Sequence, residues 1–212
     1  MKICLLLGGI ADRSATGLQR LTPMLEGVGY RVYPILYGWF FLRGLLWHPF
    51  HLPLARLITA FTRILQDCGQ QVVCIAHSNG CALAAKASEL GAYFEALVFV
   101  NAAAERNIRL GERTGLLINC HVPSDPALAV ARVIAPLSPW AALDGSLGNA
   151  GVKAGADARM WDIDLTAFFG ITGHGGFVAE ENVARTGPWL VKSLAWATQP
   201  DVYKDATAYA RR

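Results

Sequence analysis

Two kinds of hydrophobic pattern alternate along the chain. Short, continuous apolar runs are typical of parallel strands that are covered on both faces. They predict strands at residues 3–7, 29–36, 71–76, 96–100 and 115–120, and a shorter strand near residues 160–163. Segments in which apolar residues recur every three or four positions predict helices at residues 17–27, 54–68, 79–90, 125–133 and 188–198. Outside that short strand, residues 136–172 are rich in Gly, Ala and Asp, and this composition predicts mostly loop.

The order of these segments indicates an α/β fold. Alternating strands and helices predict a mostly parallel sheet with helices on both faces, which is a three-layer αβα sandwich. Right-handed crossovers bring the ends of the strands to one edge of the sheet, where ligands bind in such folds. Because the 212 residues show no repeat and no linker, a single domain spanning residues 1–212 is expected.

The clearest chemical signal lies in residues 72–87, VVCIAHSNGCALAAKA. A buried strand runs into Ser78 and continues at once into an alanine-rich helix, which is the context of a nucleophile elbow. Small residues must flank such a serine, and here they are Ala76, a mild departure from the usual glycine, and Gly80. The backbone N–H of Asn79 begins the helix and could donate to an oxyanion. The alternative is that Ser78 only caps the helix.

A serine nucleophile requires a base, and His174 and Asp125 are the candidate partners. In this kind of fold the chain order is serine, acid, histidine. Asp125 follows the fifth strand between Pro123 and Pro126, and His174 is a later histidine flanked by glycines. Asp125 could instead cap the next helix, and His174 could be a surface loop residue. The competing acids are Asp144, Asp157, Asp162 and Asp164.

The other histidines have simpler interpretations. His77 precedes the serine and is expected to pack beneath the elbow, and His121 follows a strand, where it is either structural or near the site. His48 and His51 form an H-x-x-H pair, but no further ligand is spaced suggestively near them. The sequence therefore predicts neither a metal site nor a cofactor.

A second oxyanion donor is expected in the loop after the first strand, Gly8-Gly9-Ile10-Ala11. The backbone N–H of Ile10 is the first choice and that of Gly9 the second. A phosphate-binding loop is the alternative for such a glycine pair. The segment lacks both G-x-x-x-x-G-K-[ST] and G-x-G-x-x-G, so no nucleotide site is predicted.

Residues 37–53 form an aromatic segment outside the predicted strands. Trp39, Phe40 and Trp47 are its candidate substrate-binding residues. Such a segment near the site could bind an apolar group or act as a short lid. It could equally fill the core or form a subunit contact, so a homodimer is one possibility.

Composition narrows the class of protein and its partners. With 53% hydrophobic and 17% charged residues, the chain can bury a core and is not disordered. The net charge of +3 comes with no basic run, which argues against nucleic acid. Five cysteines, an odd number, sit mostly in apolar segments, as expected of a cytoplasmic protein without a disulfide framework. No apolar run reaches the roughly 18 to 20 residues of a membrane span.

With these motifs in hand, the chain resembles the α/β-hydrolase superfamily over nearly its whole length. LLLGGIA resembles the oxyanion strand and loop, IAHSNG the elbow, HVPSDPAL the acid loop and TGHGGF the histidine loop. The resemblance is to a minimal member without a large cap domain. Two positions depart from the pattern: Gly8 stands where many relatives have His, and Ala76 where most have Gly.

The resemblance implies a serine hydrolase that acts through an acyl-enzyme, with Ser78, His174 and Asp125 as its triad. The expected substrate is a small carboxylic ester, or a thioester, with an apolar acyl or alcohol part, as in carboxylesterases and lipases. One alternative is a non-catalytic binding protein that keeps this fold. Another is a dimerising or membrane-associated structural protein that uses the aromatic surface of residues 39–50.

Overall fold

A computed structural model of the protein describes residues 1–9, 16–35, 51–134, 146–153 and 159–199. Its strands form one six-stranded sheet in the order β2-β1-β3-β4-β5-β6, and every neighbouring pair is parallel. The strands are β1 (Lys2–Leu7), β2 (Tyr30–Ile35), β3 (Gln71–His77), β4 (Phe94–Val100), β5 (Thr114–His121) and β6 (Met160–Asp164). All six predicted strands are confirmed, with ends that differ from the predicted ones by two residues at most.

Alternate side chains of each strand enter two separate hydrophobic cores. In β1, Leu5 and Leu7 face one core while Cys4 and Leu6 face the other. The first core is closed by α3 (His51–Asp67), α4 (Asn79–Glu89) and α6 (Ser146–Ala150), and the second by α1 (Thr16–Gln19), α2 (Thr22–Gly27), α7 (Leu165–Phe169) and α8 (Glu180–Ala197). Burial on both faces explains why the strands read as continuous apolar runs. The predicted three-layer αβα sandwich is confirmed.

The register of the sheet aligns the ends of the central strands. Leu7 lies beside Ala76, and Val100 lies beside both His77 and Cys120. The residues that follow β1, β3, β4 and β5 therefore begin at the same edge of the sheet. Helix α5 (Pro126–Ile134) starts close to this edge after the loop that follows β5.

Two helix predictions were wrong in the bounds of the helix, and in both cases a proline is involved. The single helix predicted over residues 17–27 is two short helices, α1 and α2, because Pro23 has no N–H to donate to the carbonyl of Gln19. The helix predicted from Pro188 starts at Glu180, and Pro188 lies inside it. An interior proline costs about 3 kcal/mol. Complete burial of Leu190 and Leu194, each contributing roughly 1.5 to 3 kcal/mol, offsets that cost.

The segment predicted to be mostly loop, residues 136–172, contains more regular structure than its composition suggested. Helices α6 and α7 lie in it, besides the predicted strand β6. Both helices have only five residues, too few for a periodic pattern to be recognised. Helix α7 is defined by its ends, since Asp164 accepts from the N–H groups of Thr166 and Ala167 and Gly170 closes it in a left-handed conformation.

None of the helices in the described ranges is both long and apolar enough to cross a membrane. Most of the aromatic segment 37–53, with Trp39, Phe40 and Trp47, lies outside the described residues.

Candidate active site

Ser78 occupies the sharp turn between β3 and α4. Its backbone has φ 55° and ψ −121°, a region that non-glycine residues rarely adopt. Two hydrogen bonds fix this turn: Ser78 N donates to Val100 O (3.0 Å), and Ala103 N donates to Ser78 O (3.1 Å). The serine side chain makes no capping hydrogen bond to α4. The helix-cap alternative therefore lacks the contact that would define it.

Gly80 is the residue that allows helix α4 to lie against β1. A Cβ atom at this position would collide with the backbone oxygen of Leu7 and lie 2.7 Å from that of Gly8. The sequence pattern requires a small residue here, and the structure gives the reason, which is contact between helix and strand backbones. Ala76, at the other small position, is fully buried.

Replacing Gly80 by Ala is expected to destabilise the protein by about 3 kcal/mol, at the upper end for overpacking, because backbone atoms of β1 cannot move aside as a side chain can. Urea unfolding followed by circular dichroism measures the change. Gly27→Ala is the control, since nothing lies within 4 Å of its added Cβ and alanine favours a helix. Equal stability of the two variants would contradict this account of the elbow.

The structure brings His174 and Asp125 together from loops that are 49 residues apart. His174 Nδ1 lies 2.7 Å from Asp125 Oδ2. Because an ionised carboxylate only accepts, Nδ1 carries the proton, and Nε2 is then left as a hydrogen-bond acceptor. The histidine is partly exposed, whereas Asp125 is buried with 1% of its surface exposed.

The Asp125 carboxylate is held by four donors. Oδ1 accepts from the N–H groups of Ala127 (2.9 Å) and Leu128 (3.2 Å), and Oδ2 accepts from Asn101 Nδ2 (2.7 Å) as well as from His174. Burial by itself raises the pKa of Asp125, but the hydrogen bond and charge of His174, with the other donors, outweigh it and leave the pKa below its ordinary value. The site thus keeps a buried anion next to an imidazole.

The competing acids are placed elsewhere or lie outside the described residues. Asp164 caps helix α7. Asp162 accepts from Asn119 Nδ2 (2.7 Å) and lies 3.2 Å from His121 Nδ1. Burial lowers the pKa of His121, but contact with Asp162 more than compensates and the pKa is raised. Asp144 and Asp157 are outside the described ranges.

His77 contacts the histidine loop directly. Its Nε2 lies 2.8 Å from the backbone oxygen of His174, and the two imidazole rings are 4.7 Å apart between centroids. The sequence predicted only packing beneath the elbow. The contact holds the histidine loop against the residue that immediately precedes Ser78.

The predicted oxyanion donors are only partly described. Asn79 is the first residue of α4, where backbone N–H groups have no partner within the helix. Gly9 lies against the serine, since a Cβ built on it would be 3.6 Å from Ser78 Oγ. Ile10, the preferred second donor, lies outside the described residues, as do the substrate-binding candidates Trp39, Phe40 and Trp47.

Asn101 is a site residue that sequence reasoning missed. It follows β4 directly, is fully buried, and donates to the same oxygen of Asp125 as His174 does. The available signal was its position, because a polar residue directly after a buried central strand lies at the edge where Ser78 also lies.

Across the described ranges, no group of three or more His, Cys, Asp or Glu side chains could hold a metal ion. His48 and the side chain of His51 lie outside those ranges.

Comparison with solved structures identifies the fold. A protein assigned to the α/β superfamily of hydrolases, from Xanthomonas campestris pv. campestris, matches with 18% identity, 90% of this chain and 98% of that chain covered, and a TM-score of 0.56. The esterase domain of a Rhodothermus marinus protein matches with 14% identity, 92% and 86% coverage and a TM-score of 0.56. A thermophilic esterase from Thermogutta terrifontis, with propionate bound, matches with 16% identity, 92% and 82% coverage and a TM-score of 0.54.

No protein-family model matches the sequence, and no curated protein matches it. The similarity to the solved structures extends over nine-tenths of the chain and concerns the fold. The chain therefore has the α/β-hydrolase fold, as its sequence motifs predicted.

Proposed function

We propose that the protein is a serine hydrolase that cleaves a carboxylic ester, or a thioester, through an acyl-enzyme. The proposal depends chiefly on one observation. Asp125 and His174 form a 2.7 Å contact at the edge of the sheet where Ser78 occupies a strained turn. Residues with a strained backbone, each at a cost of about 1 to 3 kcal/mol, are concentrated at functional sites. They persist there because the surrounding structure holds them in place.

In the proposed mechanism His174 Nε2 takes the proton of the Ser78 hydroxyl as Ser78 Oγ attacks the carbonyl carbon. Asp125 keeps the proton on Nδ1 and stabilises the imidazolium that forms. The tetrahedral oxyanion accepts a hydrogen bond from the backbone N–H of Asn79, where the helix dipole also favours negative charge. A second donor comes from the loop of Gly9 and Ile10.

The second half of the reaction reverses these proton transfers. The His174 imidazolium gives its proton to the leaving alcohol or thiol, and the acyl group remains on Ser78 as an ester. His174 Nε2 then takes a proton from water as the water oxygen attacks the acyl carbonyl. The bond between the acyl carbon and Ser78 Oγ breaks, His174 returns the proton to Oγ, and the acid is released. Solved structures with this fold include proteins named esterases, which supports an ester as the substrate class.

The substrate is proposed to be a small molecule with an apolar acyl or alcohol part. The support for this is the aromatic content of residues 37–53, including Trp39, Phe40 and Trp47. A single domain, a cytoplasmic location and a homodimer that uses this segment remain further proposals from the sequence.

The proposal is tested by treating the protein with a fluorophosphonate and measuring its intact mass, followed by peptide mapping. One adduct per chain, located on Ser78, is expected, because only an activated serine reacts rapidly. His174→Ala should abolish labelling, while His121→Ala, which removes a histidine that contacts a different carboxylate, should not. A folded wild-type protein without an adduct would refute the hydrolase proposal and favour a non-catalytic binding protein.

A further inference from the structure

Asn101 adopts a strained backbone conformation in a buried position. Its φ is 48°, and Ser78 is the only other non-glycine residue with positive φ in the described ranges. Asparagine tolerates the left-handed region better than most residues, but the conformation still has a cost. The backbone is fixed by a hydrogen bond from Asn101 N to Cys120 O (2.9 Å) on β5. The two strained residues follow adjacent strands at the same edge of the sheet.

The segment around Asn101 also holds the backbone of the proposed nucleophile. Val100, just before it, accepts from Ser78 N, and Ala103, two residues after it, donates to Ser78 O. Asn101 is therefore positioned by the same hydrogen bonds that position Ser78. A short stretch of chain connects the elbow with the acid loop.

Within the described part of the chain, the side chain of Asn101 makes one hydrogen bond, and it goes to Asp125. Nδ2 donates to Asp125 Oδ2 over 2.7 Å, whereas Asn101 Oδ1 is buried and has no partner among the described residues. An unpaired buried acceptor costs about 1 to 3 kcal/mol. Asn119 Oδ1 is likewise buried without a partner among the described residues, so it is the strained backbone of Asn101, beside that of Ser78, that points to a role in the site.

We infer that Asn101 is a positioning residue that fixes the orientation of the Asp125 carboxylate and, through it, of the His174 imidazole. Oδ2 has two lone pairs in the carboxylate plane, and Asn101 occupies one of them. With Oδ1 held by Ala127 and Leu128, the carboxylate cannot rotate, and the remaining lone pair of Oδ2 points at His174 Nδ1. The catalytic meaning of this role rests on the proposed function, although the positioning itself does not.

A chemically matched pair elsewhere in the protein provides the control. Asn119 is also fully buried and donates over 2.7 Å to a carboxylate, that of Asp162, which lies beside His121. Removing either amide takes one donor from a carboxylate that lies beside a histidine. Only the removal of Asn101 should alter His174, so the comparison separates positioning from general stability.

The first arm of the test is NMR of the His174 ring, which does not require activity. The Nδ1 proton shared with Asp125 should give a strongly deshielded signal that is absent from His174→Ala. Asn101→Gly, which accommodates the positive φ but lacks the amide, should broaden or abolish this signal. Asn119→Ala should retain it. An unchanged signal in Asn101→Gly, or equal loss in both variants, would overturn the inference.

The second arm is the rate of fluorophosphonate labelling as a function of pH. Asn101→Gly should label roughly 10- to 100-fold more slowly, the range expected when catalytic groups are displaced by up to about 1 Å. Asn101→Asp should lose labelling rate relative to the wild type as the pH rises, because two adjacent buried carboxyls share one proton and the new side chain can donate to Asp125 only while it holds that proton. His174, in contact with Asp125, and His77, against the His174 ring, are the titratable groups of this cluster in the described structure.

The two measurements distinguish failure of the positioning role from failure of the proposed function. Wild-type labelling together with an unchanged NMR signal, rate and pH dependence in the Asn101 variants would overturn the positioning role alone. Absence of wild-type labelling with the expected NMR pattern would refute the hydrolase and retain Asn101 as the residue that orients Asp125.

Discussion

If the proposed function is correct, Ser78→Ala is expected to lower the kcat of p-nitrophenyl ester hydrolysis by about 10⁶-fold, as loss of the nucleophile does in serine hydrolases. The remaining groups of the site, including the Asn79 N–H, would still bind an oxyanion but would have no attacking atom. Initial rates at saturating ester measure the effect. Ser193→Ala, which removes a hydroxyl on α8, should leave kcat close to the wild-type value.

A companion variant tests whether the turn at Ser78 is strained. Ser78→Gly should be as inactive as Ser78→Ala, yet more stable by about 1 kcal/mol, because glycine adopts φ 55° without a steric penalty. Thermal and urea unfolding of the two variants give the difference. Undiminished hydrolysis by Ser78→Ala would remove Ser78 from the mechanism, whatever the stabilities are.

The second large effect is expected for Asp125→Asn, which should reduce kcat by about 10⁴-fold. Four donors converge on this carboxylate, and an amide at the same place can accept at only one of its two atoms. If its NH₂ group faces His174, the imidazole must accept at Nδ1 and carry its proton on Nε2. His174 can then no longer take the proton of Ser78.

Asp162→Asn is the matched control, because Asp162 also accepts from an asparagine and lies 3.2 Å from a histidine. Its kcat should stay near the wild-type value while its stability falls as that of Asp125→Asn does. The comparison uses kcat from ester hydrolysis and the free energy of unfolding from urea titration. A similar loss of kcat in both variants would mean that Asp125 contributes through stability and not through the orientation of His174.

Much of the site follows from local sequence. Ser78 was predicted because an elbow needs a strand, a tight turn and a helix in direct succession, and all three patterns are local. Asp125 and His174 were predicted as partners from chain order and from the loops that contain them. Asp125 was chosen over Asp162 from its loop, and the structure shows where the two carboxylates point: Asp125 contacts His174 and Asp162 lies beside His121.

Asn101 and His77 show what local patterns leave out. Nothing in the residues around Asn101 indicates that its amide reaches a carboxylate 24 positions further along the chain. The contact of His77 with the carbonyl of His174 spans 97 positions. Both depend on the register of the sheet, which sets the edge residues of neighbouring strands side by side.

The sequence by itself determined the elements whose cause is local: continuous apolar strands, amphipathic helices, the tight turn at Ser78 and the small residue at Gly80. It also determined the α/β class, because alternating strands and helices have few ways to bury both faces of a sheet. The tertiary structure decided the bounds of elements in which packing outweighs local preference, as in helix α8, which continues through Pro188. It also decided how Asp125 meets His174, since that contact forms only when separate loops converge at one edge of the sheet.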